Sequence, residues 1–286
     1  MAAPTQTSYK PTFQLGGDLE INRMGYGAMR ITGDGIWGPP ADHDESIRVL
    51  KKAIELGINF IDTADSYGPN VSEELIAEAL HPYPEGLVIA TKGGLTRSGP
   101  NEWHVNGHPD HLEEALEGSL KRLKVDQIDL YQLHRFDPEV PADDFLKFLQ
   151  KKQEEGLIKH LGLSEVSVEQ IEQARENFEV VSVQNKYSID SRKWEDELQY
   201  CEQEGIAFIP WYPLNAGNMS TIERMKPIAE KHNATVHQIA LSWLLHHSPN
   251  ILLIPGTSKV NHLEENVQTA EIAFSSADKQ TLDSLA

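Results

Sequence analysis

Short apolar runs alternate with amphipathic helical patterns along almost the whole chain. Each helical pattern shows the spacing of Leu112, Leu116 and Leu120, which places apolar residues on one face. Eight apolar runs have the length of buried strands, and they occupy 24–28, 58–61, 87–91, 128–133, 158–163, 180–184, 206–210 and 251–254. Eight strand–helix units in roughly 250 residues predict an α/β fold, a closed (β/α)8 TIM barrel.

A doubly wound open sheet is the structural alternative to the barrel. That fold calls for a glycine-rich phosphate turn directly after the first strand. Residues 24–29 instead form a strand-like run, Met-Gly-Tyr-Gly-Ala-Met, that leads into a long loop. The barrel is therefore the predicted fold.

Predicted loops are short before the strands and long after them. The long ones span 30–41, 93–108 and 212–220. Long loops at the carboxyl ends of barrel strands are where binding sites are built. Trp37 and Trp103 fall in the first two of these loops, and Phe136 follows the run at 128–133. They either line a substrate pocket or simply cover the core.

Four residues gather at this predicted rim. Asp62, Lys92 and His134 each follow an apolar run directly, and Tyr67 lies in the loop after the first of those runs. If the three strands are parallel neighbours, all four side chains converge. An acid, an ammonium, an imidazole and a phenol together predict a proton-transfer site.

The chemistry of these four groups suits reduction of a carbonyl. Lys92 is expected to lower the pKa of Tyr67, because a nearby ammonium stabilises the phenolate. Asp62 would hold Lys92, and His134 would donate a hydrogen bond to the substrate oxygen. Because no protein side chain supplies hydride, the site needs a nicotinamide cofactor.

Composition narrows the classes of function. The 286 residues carry a net charge of −19, which argues against a nucleic-acid partner. No apolar run is long enough to predict a membrane span. A single cysteine, Cys201, fits a reducing cytoplasm. We expect one barrel domain over 1–286, with residues 1–10 as a loose polar arm and no metal.

Residues 57–68, Gly-Ile-Asn-Phe-Ile-Asp-Thr-Ala-Asp-Ser-Tyr-Gly, resemble the signature of the aldo-keto reductase family. The resemblance covers nearly all of the chain. It implies that Tyr67 is the general acid, Lys92 its pKa partner, Asp62 the support of Lys92, and His134 the group that orients the substrate. It also implies an N-terminal hairpin, for which Gly16 and Gly17 would form the turn.

The resemblance implies NADPH as cofactor and a small carbonyl compound as substrate. The nicotinamide half would contact Gly27, Ala28, Met29, Asp62, Ser164, Gln184 and Trp211. The pyrophosphate would pass Tyr212, Pro213 and Leu214. The adenosine-phosphate clamp would comprise Gly256, Thr257, Ser258, Lys259, His262, Glu265 and Asn266. The substrate would meet Trp37, Tyr67, Trp103, His134 and Phe136.

The chain departs from the family pattern at two positions. Glu165 stands where the family usually has asparagine, and His262 stands where many members hold the 2′-phosphate with arginine. A glutamate that lay against the nicotinamide would favour the cationic oxidised ring. Alternatively, Glu165 points to solvent or caps the next helix.

Residues 24–40 and 251–258 resemble the bacterial pyridoxal-reductase-like subgroup, so small aromatic aldehydes are the expected substrates. Two other functions stay open. A redox sensor or partner subunit would bind the nicotinamide cofactor without catalysis. A metal-dependent barrel hydrolase would use Asp62, Asp65 and His134, although such barrels commonly place a His-X-His pair on their first strand.

Overall fold

The computed structural model describes residues 9–214 and 220–285. Its strands are β1 Thr12–Leu15, β2 Leu19–Asn22, β3 Tyr26–Gly27, β4 Phe60–Asp62, β5 Val88–Gly93, β6 Leu95–Gly99, β7 Glu102–Val105, β8 Ile128–Leu133, β9 Ile158–Ser164, β10 Val180–Gln184 and β11 Ala207–Phe208. Its helices are α1 His43–Glu55, α2 Val71–Leu80, α3 Pro109–Leu123, α4 Ala142–Glu154, α5 Val168–Arg175, α6 Glu195–Glu204, α7 Ile222–Lys231, α8 Val236–His247, α9 Val260–Gln268 and α10 Ser276–Asp283.

The central sheet is parallel throughout, in the order β3-β4-β5-β8-β9-β10-β11. The eighth predicted run completes the ring through single bridges rather than a continuous ladder. Ile251 pairs with Phe208 of β11, and Leu253 pairs with Met24 just before β3. The predicted (β/α)8 barrel is therefore confirmed.

Apolar strand side chains divide into two layers. An inner cluster includes Phe60, Val88, Leu130 and Leu252, and an outer cluster packs the helices against the sheet. This division follows from the period of two along a strand, which sends successive side chains to opposite faces. The inner side chains fill the barrel, so it has a packed core.

The predicted N-terminal hairpin is confirmed as β1–β2. Gly16 and Gly17 form its turn with φ angles of 58° and 80°, which glycine adopts without strain. Leu15 and Ile21 join the inner cluster. Asn59, just before β4, accepts a hydrogen bond from Asn22 N at 2.7 Å. The hairpin thus covers the amino ends of the strands and leaves the carboxyl ends for the site.

Two local features differ from the sequence patterns. The predicted loop at 93–108 contains the antiparallel hairpin β6–β7 over residues 95–105. Asn70 precedes Glu73 with the spacing of a capping box, but its side chain makes no capping bond and its backbone is left-handed. Glu73 turns inward instead, where it accepts from Thr91 at 2.5 Å and from Arg122 at 2.7 Å.

Two sequence predictions fall partly outside the described residues. Residues 1–8 of the expected N-terminal arm lie there, and Tyr9 packs its ring against His246. Residues 215–219 of the expected loop at 212–220 lie there as well. Within 9–214 and 220–285, no helix combines the length and the apolar character that crossing a bilayer requires.

Candidate active site

The four predicted catalytic residues lie together at one rim, three at the ends of neighbouring strands and Tyr67 in the loop after β4. Asp62 ends β4, Lys92 lies near the end of β5, and His134 directly follows β8. These strands are adjacent in the sheet, so their carboxyl ends meet. Tyr67 reaches the same place from the loop after β4, and its ring centroid lies 6.0 Å from that of His134.

Lys92 is the centre of this group and is fully buried. Its Nζ donates to Asp62 Oδ1 at 2.6 Å, to Thr63 O at 2.7 Å and to Tyr67 Oη at 3.5 Å. An ammonium has three protons to donate, and these three acceptors match them. Lys92 is therefore held between the carboxylate and the phenol.

The second carboxylate oxygen of Asp62 also accepts hydrogen bonds from buried side chains. Asp62 Oδ2 accepts from Gln184 Nε2 at 2.9 Å and from Gln132 Nε2 at 3.1 Å. Sequence reasoning missed Gln132. The signal was available, because Gln132 lies two residues before His134 and so shares its side of the run.

Burial sets the protonation states of the site. It raises the pKa of Tyr67 above its ordinary value, and the opposing effect of Lys92 does not overcome it. Lys92 does act in the expected direction, since its charge and its hydrogen bond lower the pKa of Tyr67, but burial outweighs it. Burial alone would lower the pKa of Lys92, but Asp62 and Tyr67 raise it overall. At neutral pH the site thus presents a neutral phenol beside an ammonium.

His134 is a neutral imidazole. Burial, and then the charges of Lys92 and Arg135, hold its pKa well below the ordinary value. Its Nδ1 lies 3.5 Å from Ser66 Oγ. A neutral imidazole can donate one hydrogen bond to a substrate oxygen without carrying a charge.

A cavity of about 700 Å3 opens beside these residues. Its lining includes the predicted site residues Gly27, Met29, Asp62, Tyr67, Trp103, His134, Ser164, Gln184, Trp211, Tyr212, Pro213, Leu214 and Gly256. Residues that the sequence did not single out also line it: Arg30, Ile36, Leu95, Asn101, Val105, Arg135, Ile254 and Pro255. Of these, Leu95 and Val105 come from the unpredicted hairpin β6–β7.

Several predicted site residues lie outside the cavity lining. Lys92 stands behind Asp62 and Tyr67, and Ala28 is buried. Trp37 forms a backbone bridge with Gly68. Phe136 packs edge-to-face on Phe145, with ring centroids 5.1 Å apart. Neither Trp37 nor Phe136 belongs to the cavity lining.

Gly256 of the predicted adenosine clamp lines the cavity, and the other clamp residues lie around the start of α9. Thr257 is buried, and its Oγ1 accepts from Lys259 N at 3.1 Å. The side chains of Lys259, His262 and Glu265 are exposed, and Ser258 and Asn266 are half-buried. Glu45 Oε1 accepts from Val260 N at 3.2 Å. A carboxylate therefore already uses one N–H at this helix start, which sequence reasoning missed.

Glu165 contacts the aromatic residue expected to stack on nicotinamide. Its Oε1 accepts from Trp211 Nε1 at 2.6 Å and from Lys186 N at 2.5 Å. The backbone of Glu165 is left-handed, with φ at 55°, a region that costs a long side chain energy. Glu165 therefore neither points to solvent nor caps α5, whose cap is Ser167.

The shape of the cavity fits a nicotinamide nucleotide. A Cβ added to Gly27 would meet Ile254 O at 2.5 Å, and one added to Gly256 would meet Gly27 O at 2.9 Å. The two glycines thus let the first and last strands approach closely beside the cavity. Ser164, Gln184 and Trp211 would hold the nicotinamide, and Gly256 leads toward the clamp.

Comparison with known proteins agrees with this geometry. Residues 23–286 match the model of the Aldo/keto reductase family. The chain belongs to the aldo/keto reductase family. It is 40% identical over 280 residues to pyridoxine 4-dehydrogenase of Escherichia coli, covering 96% of this chain and 98% of that protein. It is 56% identical over 270 residues to an uncharacterized oxidoreductase of Schizosaccharomyces pombe, covering 93% and 87%.

A solved relative bears on the cofactor. An aldo/keto reductase from Klebsiella pneumoniae, crystallised with NADP and acetate, is 25% identical with a TM-score of 0.79. The match covers 96% of this chain and 94% of that one. The family match makes this chain an oxidoreductase of the aldo/keto reductase type. In the residues that the structure describes, no group of three His, Cys, Asp or Glu is arranged to hold a metal.

Proposed function

We propose that this aldo/keto reductase reduces small aromatic aldehydes, pyridoxal among them, to alcohols. The observation that carries the proposal is the Asp62–Lys92–Tyr67 group, which opens into a cavity walled by Trp103, Leu95 and other apolar side chains. Aromatic rings suit such walls, because planar apolar surfaces bury well against indole and aliphatic groups.

Each residue of the site has a separate role in carbonyl reduction. NADPH, when bound, supplies a hydride to the carbonyl carbon. As the carbonyl π electrons move onto oxygen, Tyr67 gives that oxygen its phenolic proton. Lys92 stabilises the phenolate left behind, and Asp62 keeps Lys92 charged and aimed. His134 orients the oxygen as a neutral donor.

The proposal also covers the substrate, the domain organisation and the cellular compartment. The E. coli relative is named for pyridoxine, the alcohol that corresponds to pyridoxal, at 40% identity. We propose a single barrel domain over 1–286, working in the cytoplasm. The buried Cys201 supports a reducing compartment, because it packs in the outer core as a free thiol.

The test is to mix the protein with NADPH and each member of a panel of aldehydes, and to measure the rate at which the absorbance of NADPH falls. We expect turnover of benzaldehyde derivatives and pyridoxal, unchanged by a chelator. Loss of activity on chelation would contradict the metal-free mechanism. The alternative function, a non-catalytic redox sensor or partner subunit, would bind NADPH tightly and reduce no member of the panel.

Lys259 tests the cofactor clamp. We expect Lys259→Ala to weaken NADPH binding roughly tenfold and to leave NADH binding unchanged, because an ammonium near the 2′-phosphate makes a charge-assisted bond. Calorimetric titration with each cofactor measures the preference.

Lys52→Ala is the matched control for Lys259→Ala. Lys52 lies 3.4 Å from Glu264 of α9, so this variant removes an equal charge near the same helix. Equal losses for NADPH and NADH in Lys259→Ala would show that Lys259 meets no 2′-phosphate.

Glu165 tests how Trp211 is held. Glu165→Ala should weaken NADPH binding by about fivefold, because the indole loses a charge-assisted bond of roughly 1.5–3 kcal/mol, partly replaced by water. Glu165→Gln keeps an acceptor oxygen and should lose less. It should also bind NADP⁺ less well relative to NADPH than the parent does.

A double-variant cycle separates an indirect role of Glu165 from direct contact with nicotinamide. Trp211→Phe keeps an aromatic ring but has no N–H for Glu165. If Glu165 acts through Trp211, adding Glu165→Ala to Trp211→Phe changes NADPH affinity little. Additive losses would show that the carboxylate acts on the cofactor itself.

A further inference from the structure

Arg135 is a cation in the cavity wall that the carbonyl chemistry does not require. It directly follows His134 and lines the cavity. Its Nη1 donates to His134 O at 2.5 Å and to Ser164 Oγ at 2.9 Å. Both bonds use one of its three nitrogens, so the N–H groups of Nε and Nη2 keep no acceptor among the described residues.

Arg135 also lacks a counter-ion. None of the described carboxylates lies within ion-pair distance of its guanidinium. Glu165 is close enough to influence its pKa, but the Glu165 carboxylate is bonded to Lys186 N and Trp211 Nε1. The chain has 44 acidic and 25 basic residues. An arginine without an acidic partner is therefore unexpected in this chain.

The position of Arg135 assigns it to the reacting end of the cavity. Its guanidinium carbon lies 5.9 Å from the centroid of the Trp211 ring, and its charge also acts on Tyr67 and His134. The cavity's other arginine among the described residues, Arg30, lies beside Gly256 instead. Arg135 thus lies on the side of the cavity where Tyr67, His134 and Trp211 would bring the substrate carbonyl and the nicotinamide together.

We propose that Arg135 is a binding site for an anionic oxygen on the substrate, so that this enzyme selects aldehydes that carry a carboxylate or phenolate near the carbonyl. The inference rests on the proposed function, because it names the substrate class of the same site. A guanidinium with two free donor nitrogens presents the fork geometry that carboxylates accept.

The proposed class includes pyridoxal. Pyridoxal carries a ring hydroxyl on the carbon next to the one that bears its aldehyde. With the carbonyl oxygen held by Tyr67 and His134, the ring hydroxyl would occupy the cavity that Arg135 also lines. Arg135 would hold that oxygen as an anion and so fix the orientation of the ring.

The test compares substrates of matched shape that differ in charge. The enzyme is assayed with 3-formylbenzoate and with 3-formylbenzamide, whose carboxamide has the shape of the carboxylate. We expect kcat/KM to favour the carboxylate roughly tenfold in the parent at low salt. Arg135→Met should abolish this ratio, and Arg135→Lys should retain part of it.

Arg30→Met is the matched control, because it removes an equal charge from another part of the cavity lining, beside Gly256. It should leave the ratio of the two substrates as in the parent. A parent that prefers neither substrate, or an Arg135→Met that keeps the preference, would overturn the inference, and the parent result decides even if Arg135→Met fails to fold.

Failure of the proposed function gives a different result. In that case neither aldehyde is reduced at all. Benzoate and benzamide are then titrated into the parent saturated with NADP⁺. Tighter binding of benzoate, lost in Arg135→Met, would support the anion site by itself, whereas equal binding would overturn it.

Discussion

Replacing Tyr67 with phenylalanine should lower kcat about a thousandfold and change the dissociation constant of NADPH less than about twofold. The substitution deletes the proton donor and leaves the ring, and general acid catalysis contributes 10²–10⁴-fold. The phenol is the group that Lys92 Nζ approaches at 3.5 Å, and burial keeps it protonated. Single-turnover kinetics with benzaldehyde measures the chemical step.

Tyr212→Phe is the matched control for Tyr67→Phe. Tyr212 lines the same cavity, and its ring lies 5.8 Å from that of Trp211. Removal of its hydroxyl should leave the rate of the chemical step within about threefold, since no proton is transferred from it. Near-parental turnover in Tyr67→Phe would place the acid elsewhere.

Replacing Lys92 with methionine should damage both turnover and stability. The phenolate loses its charge partner, so kcat should fall about a hundredfold or more. Asp62 keeps its bonds to Gln132 and Gln184 but becomes a buried carboxylate without a cation. Breaking a buried pair in this way should lower the free energy of unfolding by about 3 kcal/mol. Urea denaturation measures the second effect.

A double variant separates the two effects of Lys92→Met. Adding Asp62→Asn removes the uncompensated charge, so we expect much of the stability to return. Turnover should stay lost, because the phenol still has no ammonium beside it. Recovery of turnover in the double variant would show that Lys92 acts on stability alone.

The strand pattern was the most predictive part of the sequence. Predicted runs at 128–133 and 180–184 coincide with β8 and β10. The runs at 24–28, 206–210 and 251–254 shrink to two-residue strands or single bridges. These three runs lie where the ring closes, and hydrogen bonding there depends on how two distant parts of the chain meet.

Predictions about the loops held less well. The pattern at 93–108 contains glycines and polar residues, so it predicted an irregular loop, whereas the structure forms β6–β7. Arg97 helps to hold this hairpin, with bonds to Ile36 O at 2.7 Å and Ser66 O at 2.9 Å. These partners are distant in sequence, so no local pattern could show that the segment is ordered over the cavity.

The sequence by itself determined the barrel and the four residues at its rim. Strand length, helical spacing and placement after apolar runs are local properties of the sequence. In a parallel sheet, residues that directly follow neighbouring strands lie close together at one rim. Only the tertiary structure decided that Tyr67 stays a neutral phenol, that Glu165 holds Trp211, and that Arg135 faces the cavity without an ion pair among the described residues. Those properties depend on burial and on side chains brought together from separate strands, which no spacing along the chain encodes.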